Sequence, residues 1–465
     1  MKILFVLPQI GSGGIWNVGI ASMSAVLKKA GHHVDLFEID NLGEQLIGLL
    51  GKILADKPDI VSISVNSHQF PHAQKIAQEI KKNYPAPIFI GGVHAILFPD
   101  LLREAGTFDG VCIGEGEDAF LELVSKMAEG KDFLGVKGFW FRQGESIIKN
   151  EPRRLIEDLD RLPFPDRSIF RYFKKYKQKE IRPRFIFSRG CPFNCTYCCN
   201  HALKQNYAGS GRYLRFRSVD KAIEEIKKLR EEYDFYHIKL DDDTFSINKN
   251  WLLEFCDKFP KVFNDLTFEC NIRPGTADEE SLLALKQAHC TLIKVGVETG
   301  SEELRKKVLN RQISNQEIIS LFKKAKEIGL KTYSFNMVGI PGETKDSIKE
   351  TILLNAQIQP DFMQITIFYP YMGTTLGNYS SKMGLVGRND SADSYMRESI
   401  LNLPTISKKE IERAARNFKF NVYKHYNLKK AVLEKGGQIK DFIISKPLLR
   451  FFAKAIKRLI PFDTT

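Results

Sequence analysis

The sequence predicts an α/β protein of two successive parallel-sheet domains followed by a basic helical extension, and three observations lead there. Strand-like and helix-like segments alternate over residues 1 to about 128. The alternation resumes at RPRFIFSRG and continues for roughly 200 residues. After about Gly384 the strand signals fade into basic, mainly helical sequence. Strand and helix in turn imply parallel sheets with helices on both faces. At 465 residues, 43% hydrophobic and 27% charged, the chain has a globular composition and length for more than one core.

In the first domain, placed at 1–150, MKILFVLP reads as a buried strand, IASMSAVLKKAG as a helix closing on glycine, and HHVDLFEI as a second strand. DIVSISV, the amphipathic PHAQKIAQEIKK, PIFIGG, and GVCIGEGE followed by DAFLELVSKMAEG continue a Rossmann-like pattern. KGFWFR and ESIIKN add two short strands. Ligands of such sheets sit at the carboxyl ends of the strands, where this domain places SVNSH, GGVH and GEGE. Residues 151–180, with the charged, proline-containing IEDLDRLPFPDRSIF, read as a linker. From 181 to 385 the strands FIFSR, YHIKL, LTFECNI, LIKVGVE, KTYSFNMVG and FMQITIFY are separated by helical patterns. Six βα units make a partial (β/α)6 barrel. QIGSGG lacks the Lys-Ser/Thr ending of a phosphate loop and reads as a glycine turn.

The opening apolar run lacks a long h-region and a cleavage site, and no uncharged apolar run reaches eighteen residues, so a cytoplasmic location is expected. The net charge of +13 is uneven: from Lys408 onward fifteen Lys/Arg face five Asp/Glu. A nucleic-acid footprint over the whole surface is therefore not implied. In the extension, 386–465, KPLLRFFAKAIKRLIPF (446–462) carries an apolar helical stripe opposite a cationic face. Two readings stand: a helix docked on the barrel, or an interfacial helix giving peripheral contact with the inner face of the membrane.

Four of the eight cysteines, Cys191, Cys195, Cys198 and Cys199, fall within nine residues, directly after a strand. A disulfide framework does not explain this in a large intracellular chain. Thiols spaced C-x3-C-x2-C can hold three irons of a cubane and leave the fourth iron open. Structural zinc is the alternative, but zinc sites add a second pair or histidines, and only His201 is close. Cys199 adjoins Cys198, and neighbouring side chains do not easily reach one metal.

C-x3-C-x-aromatic-C after the first strand of a partial barrel resembles the radical S-adenosylmethionine (SAM) superfamily. The resemblance covers about residues 181–385 and implies a [4Fe–4S] cluster on Cys191, Cys195 and Cys198. There the open iron chelates SAM, whose reductive cleavage gives a 5′-deoxyadenosyl radical. It further implies that Tyr197 lies against the adenine. LDDDTF stands where the family has Gly-Gly-Glu near the methionine amino group, with Asp241 and Asp242 in place of the glycines and Asp243 in the acidic position, so that Asp242 and Asp243 are expected among the SAM contacts. Arg273 in CNIRPG and Glu298 in VGVETGS fall at positions of polar SAM contacts. MVGIPGET resembles the fifth-strand motif, with Gly339, Ile340, Pro341 and Gly342 close to the adenine.

A Rossmann-like domain before such a barrel resembles the cobalamin-binding branch of that superfamily. The resemblance implies a cobalamin pocket lined by Ser64, Asn66, Gly91, Gly92, His94, Gly114, Glu115 and Gly116. The D-x-H-x-x-G signature is absent, so cobalt has no histidine ligand of that kind, and His94 reads as a pocket wall or a core histidine. The activity implied is cobalamin-dependent methylation of an unactivated carbon, served by a flavodoxin- or ferredoxin-like electron donor. Ring closure or another rearrangement is the family's other outcome. An RNA-modifying methylthiotransferase would need three cysteines in the first domain, which has only Cys112. A non-catalytic corrinoid or SAM sensor would not need an open iron. The substrate, a small molecule or a lipid-linked one, is not encoded in any motif read here.

Overall fold

In the computed structural model, residues 1–10, 16–175, 181–387 and 396–445 are described. The GSGG part of the QIGSGG turn and the amphipathic segment 446–462 lie outside them. The first sheet comprises β1 (Lys2–Pro8), β2 (His33–Ile39), β3 (Ile60–Ser64), β4 (Ile88–Gly91), β5 (Gly110–Cys112), β6 (Phe139–Gln143) and β7 (Ser146–Lys149). Its order is β2-β1-β3-β4-β5-β6-β7. The first five strands are parallel and the last two add antiparallel. β3 is buried at every position and β1 at all but its first, as strands covered on both faces must be. The helix Phe70–Asn83 turns Ala73, Ile76, Ala77 and Ile80 inward at helical spacing. Between β2 and β3 the segment Glu44–Asp56 forms a further helix that the sequence reading did not assign; it buries only Leu49 and Ile53, and its exposed Ile47 and Leu54 blur the periodicity.

The second sheet takes β8 (Arg184–Phe185), then, past a short antiparallel pair of β9 (Ser188–Arg189) with β10 (Arg215–Phe216), β11 (His237–Leu240), β12 (Thr267–Ile272), β13 (Cys290–Glu298), β14 (Lys331–Val338) and β15 (Phe362–Ile367). The order β15-β14-β13-β12-β11-β8 is sequential and parallel, and β15 does not pair with β8: this is the expected partial (β/α)6 barrel. Helices Val219–Glu232, Lys249–Val262, Glu279–Gln287, Asn315–Glu327 and Lys345–Ile358 connect successive strands. Beneath them Trp251 and Phe255 stack with ring centroids 5.4 Å apart.

Residues 151–175 are packed. Leu155, Ile156, Leu159, Leu162, Ile169, Phe170 and Phe173 are buried. Arg167 lies between the Trp16 and Phe185 rings, at 4.6 and 4.5 Å, and pairs with Glu225 at 2.7 Å. One apolar core runs from the first sheet through this strap into the barrel. The extension contributes helices Lys408–Tyr423 and Leu428–Ser445. The first buries Ile411, Phe418 and Val422 beside Ile340, over the loop that follows β14.

Two backbone features set expectations for stability. Gly92 has φ +94°, and a Cβ there would stand 2.4 Å from the Val65 carbonyl oxygen, whereas one on Gly31 (φ +85°) would meet nothing within 4 Å. Gly31→Ala is expected to cost about 1 kcal/mol of left-handed strain, and Gly92→Ala about 2 kcal/mol more because β3 must move; thermal midpoints of the two variants check the order. Burial pushes the Glu343 carboxyl up to about 8, against hydrogen bonds from the Gly339 and Ile340 N–H groups. The folded state thus holds this proton more tightly than the unfolded chain. The stabilisation is complete below 4.5 and is lost as pH rises through about 8. Glu343→Gln should gain on wild type between about pH 5 and pH 9, read from denaturant midpoints.

Candidate functional site

The cysteine loop leaves β9 through Gly190 (φ +88°), where a Cβ would come within 2.4 Å of the Tyr213 carbonyl oxygen, so only glycine fits the turn. Beyond it the loop is pinned: Thr196 Oγ1 donates to Val308 O at 2.6 Å and Asn310 Nδ2 to Asn194 O at 2.9 Å. Cys191, Cys195 and Cys198 line one cavity of about 630 Å³ in the mouth of the barrel. Arg273 Nη1 donates to Cys195 Sγ at 3.3 Å while its guanidinium lies 3.8 Å from the Phe193 ring. Asn200 Nδ2 donates to Cys198 Sγ at 3.8 Å. Donors aimed at sulfur suit thiolates bound to iron. Burial pushes the Cys191 thiol up to about 11, so binding iron there must release a proton.

The zinc alternative loses its support. His201 Nδ1 is 2.6 Å from Cys198 O and Nε2 is 2.7 Å from Thr375 Oγ1, so both ring nitrogens are engaged. Among the described residues no three His, Cys, Asp or Glu side chains converge on a single ion. Cys199 opens a helix and does not line the cavity.

Tyr197, Asp241, Asp243, Arg273 and Glu298 line the same cavity. Glu298 ends β13 with φ +65°, a left-handed conformation uncommon for non-glycine residues. Its partner is Arg311, 3.6 Å away, which also donates to Tyr197 Oη at 3.1 Å and to Gly296 O at 2.7 Å. Arg311 was not foreseen, because its loop has neither periodicity nor a motif to mark it.

Two segments are placed otherwise than expected. Asp242 is 2% exposed and faces away from the cavity; its Oδ1 accepts from the Phe187 and Ser188 N–H groups at 2.9 and 2.6 Å. Burial pushes its carboxyl up to about 7. Asp243 alone of that pair reaches the site. Gly339, Ile340 and Gly342 do not line the cavity: Ile340 is in the core and Gly339 faces Ile411 and Leu401.

A second cavity, about 540 Å³, opens at the carboxyl ends of β1, β3, β4 and β5 and is closed on the barrel side by Ile186–Arg189. Ser64, Asn66, Gly91, Gly92, Gly114, Glu115 and Gly116 line it. His94 does not; it packs against Phe70, ring centroids 4.5 Å apart, with Nδ1 3.0 Å from Ser67 Oγ. Burial holds its imidazole down to about 4, so it is a neutral core histidine. The lining joins apolar side chains (Leu7, Ile63, Val65, Ile90, Ile96, Leu162) to uncharged polar ones (Asn17, Ser62, Ser64, Asn66, Gln69), with charged Glu115, Glu117, Arg189, Arg217 and Glu225 also in it. Apolar walls with amide and hydroxyl groups between them suit a corrin ring fringed by amides. No histidine is among the lining residues.

Glu115 is also a structural residue. It accepts from Arg189 Nη1 at 2.9 Å, from Arg215 at 2.9 and 3.0 Å, and from Ile156 N at 2.8 Å. Glu117 adds a 2.5 Å pair to Arg189 and accepts from Ser22 Oγ at 2.7 Å. The two glutamates of GEGE thereby tie the first domain to the strand that feeds the cysteine loop.

The radical SAM superfamily matches residues 185–354, and the B12 binding domain matches residues 13–124. Uncharacterized methyltransferase PH0819 of Pyrococcus horikoshii is 31% identical over 394 residues, covering 82% of this chain and 83% of its own. Anaerobic magnesium-protoporphyrin IX monomethyl ester cyclase of Rubrivivax gelatinosus is 26% identical over 389 residues, 80% of this chain and 68% of its own. The structure of the radical SAM methyltransferase TsrM from Kitasatospora setae, with cobalamin and a [4Fe–4S] cluster bound, shares the fold. Its TM-score is 0.68 at 17% identity, over 89% of this chain and 81% of that one. With a three-cysteine cavity in its barrel and a second cavity at the strand ends of the domain before it, the chain belongs to the radical SAM enzymes that carry a B12 binding domain.

Proposed function

We propose that the protein is a cobalamin-dependent radical SAM methyltransferase acting on an unactivated carbon. The observation that carries this reading is the pair of cavities on either side of one strand turn: Arg184 lines the cysteine cavity, and Ile186–Arg189 line the other. Cys191, Cys195 and Cys198 would hold the cluster, Asp243, Arg273, Glu298 and Tyr197 would hold SAM, and the second cavity would hold the corrinoid. Bound there, these groups supply one-electron cleavage of a sulfonium and a carrier for methyl transfer. The chain's own part is to fix geometry. Arg311 holds Tyr197 and Glu298 in one arrangement, Arg273 orients Cys195, and the seam through Glu115 and Arg189 keeps the cavities in register. A one-electron donor of the flavodoxin or ferredoxin class is the partner this chemistry requires.

The likeness to a ring-forming cyclase is met by the same test, because only methyl transfer carries label from methyl-labelled SAM into product. Anaerobic reconstitution with iron, sulfide and hydroxocobalamin should leave about four irons and about one cobalt per chain. Cys195→Ala should lose the iron and keep the cobalt. Arg311→Ala should keep both and raise the KM for SAM about tenfold. Iron retained without cobalt would overturn cobalamin-dependent methylation.

No helix among the described residues is long and apolar enough to cross a membrane. We infer a cytoplasmic enzyme with peripheral membrane contact. Leu428, Val432 and Leu433 are 71%, 69% and 66% exposed on a helix that also carries Lys429, Lys430 and Lys435, and the basic segment 446–462 follows it. Full-length protein should co-sediment with vesicles containing phosphatidylserine, and a chain ending at Ser445 should pellet markedly less. Equal pelleting would remove the inference.

A further inference from the structure

Three neighbouring strands of the barrel, the first two together with the segments that follow them, present two charged residues four positions apart: Lys239 and Asp243, Glu269 and Arg273, Lys294 and Glu298. All six line the cysteine cavity. Alternate residues of a strand share a face, so the members of each pair form an upper and a lower layer. The upper layer stands beside the cysteines and belongs to the site already described. The lower layer has no role there.

Its charge is unbalanced. Glu269 is the only carboxylate between two ammonium groups, Lys294 Nζ at 2.5 Å and Lys239 Nζ at 3.5 Å, with His237 Nε2 also at 3.5 Å. The neighbouring Arg184 and Asp241 neutralise each other. Burial opposes ionisation of Glu269, but hydrogen bonds from His237 and Lys294 and the charges of Lys294 and Lys239 outweigh it and hold the carboxyl down to about 2. Lys294 is the nearer counter-ion of that carboxylate. Lys239, farther from it and about a third exposed, keeps hydrogen-bonding capacity toward the cavity. Tyr333, Phe335 and Gln364 complete this wall, with Tyr333 Oη donating to Gln364 Oε1 at 3.2 Å. Branched apolar side chains ordinarily fill the inside of a barrel, and desolvated charges contribute little to stability in their place. One ammonium group in excess of the carboxylates of its layer, inside a cavity, suits recognition of an anion.

We propose that the barrel floor between Lys239 and Lys294 receives an anionic group of the substrate, a carboxylate or a phosphate. This deepens the reading of the cavity as the site where substrate is modified and rests on it. Lys239 is the specificity-determining residue, and Glu269 holds Lys294 in place.

The test is equilibrium dialysis of radiolabelled inorganic phosphate or acetate against full-length, iron-reconstituted protein saturated with SAM, which occupies the upper layer. Wild type should hold one of the two anions about tenfold more tightly than Lys239→Gln, and Lys239→Arg should restore binding. Lys239→Gln leaves the Glu269–Lys294 pair intact and so does not orphan a buried charge. Preference for phosphate or for acetate identifies the class. If neither anion is held, or if Lys239→Gln holds it as well as wild type does, the proposal is wrong. The readout uses neither cobalt nor turnover, so failure of methyl transfer would be seen separately.

Discussion

The buried charge cluster at the seam is the constraint on which the rest of the architecture depends. Glu115 and Glu117 of the first domain meet Arg189 and Arg215 of the second, two carboxylates against two guanidinium groups. Neutral as a whole and rich in hydrogen bonds, the cluster tolerates desolvation; removal of one member would strand the others. Arg189 precedes the cysteine loop by one glycine. The loop that must present three sulfurs is therefore anchored on one side to the first domain and on the other to the Val308–Asn310 turn.

The strap between the domains acts in the same sense. A flexible linker would let two domains of this size move independently. Instead, Arg167 is held between two aromatic rings and an ion pair, and the apolar residues around it join the two cores into one. A solvent-exposed connection and a packed strap share the same proline- and charge-rich composition, which is why the sequence did not distinguish them.

Much of this was legible because it is periodic. The six strands of the barrel, the five parallel strands of the first sheet and the cysteine spacing are local patterns, and local patterns survive in one dimension. What failed was orientation. LDDDTF places three acids in a row, but only Asp241 and Asp243 face the cavity, as alternation along an extended chain demands; Asp242 turns back to hold Phe187 and Ser188. His94 follows a strand end rich in small residues, yet one helical turn directs it into the core. The loop Gly339–Gly342 resembles a ligand-binding motif and instead supports the extension, whose position no local signal revealed. Arg311, Lys239 and Lys294 gain their meaning only from partners on other strands.

Tyr333, Phe335 and Gln364 carry a different consequence. They stand on β14 and β15, at the open edge of the barrel and away from the cysteine loop, and they face the cysteine cavity without touching the seam. Residues 186–189, by contrast, form the wall of the second cavity and hold the cysteine loop as well, so change there is doubly constrained. A side chain on β14 or β15 can therefore be exchanged with the least disturbance to the seam and the cysteine loop, which makes this wall the part of the cavity most open to reshaping for a different substrate.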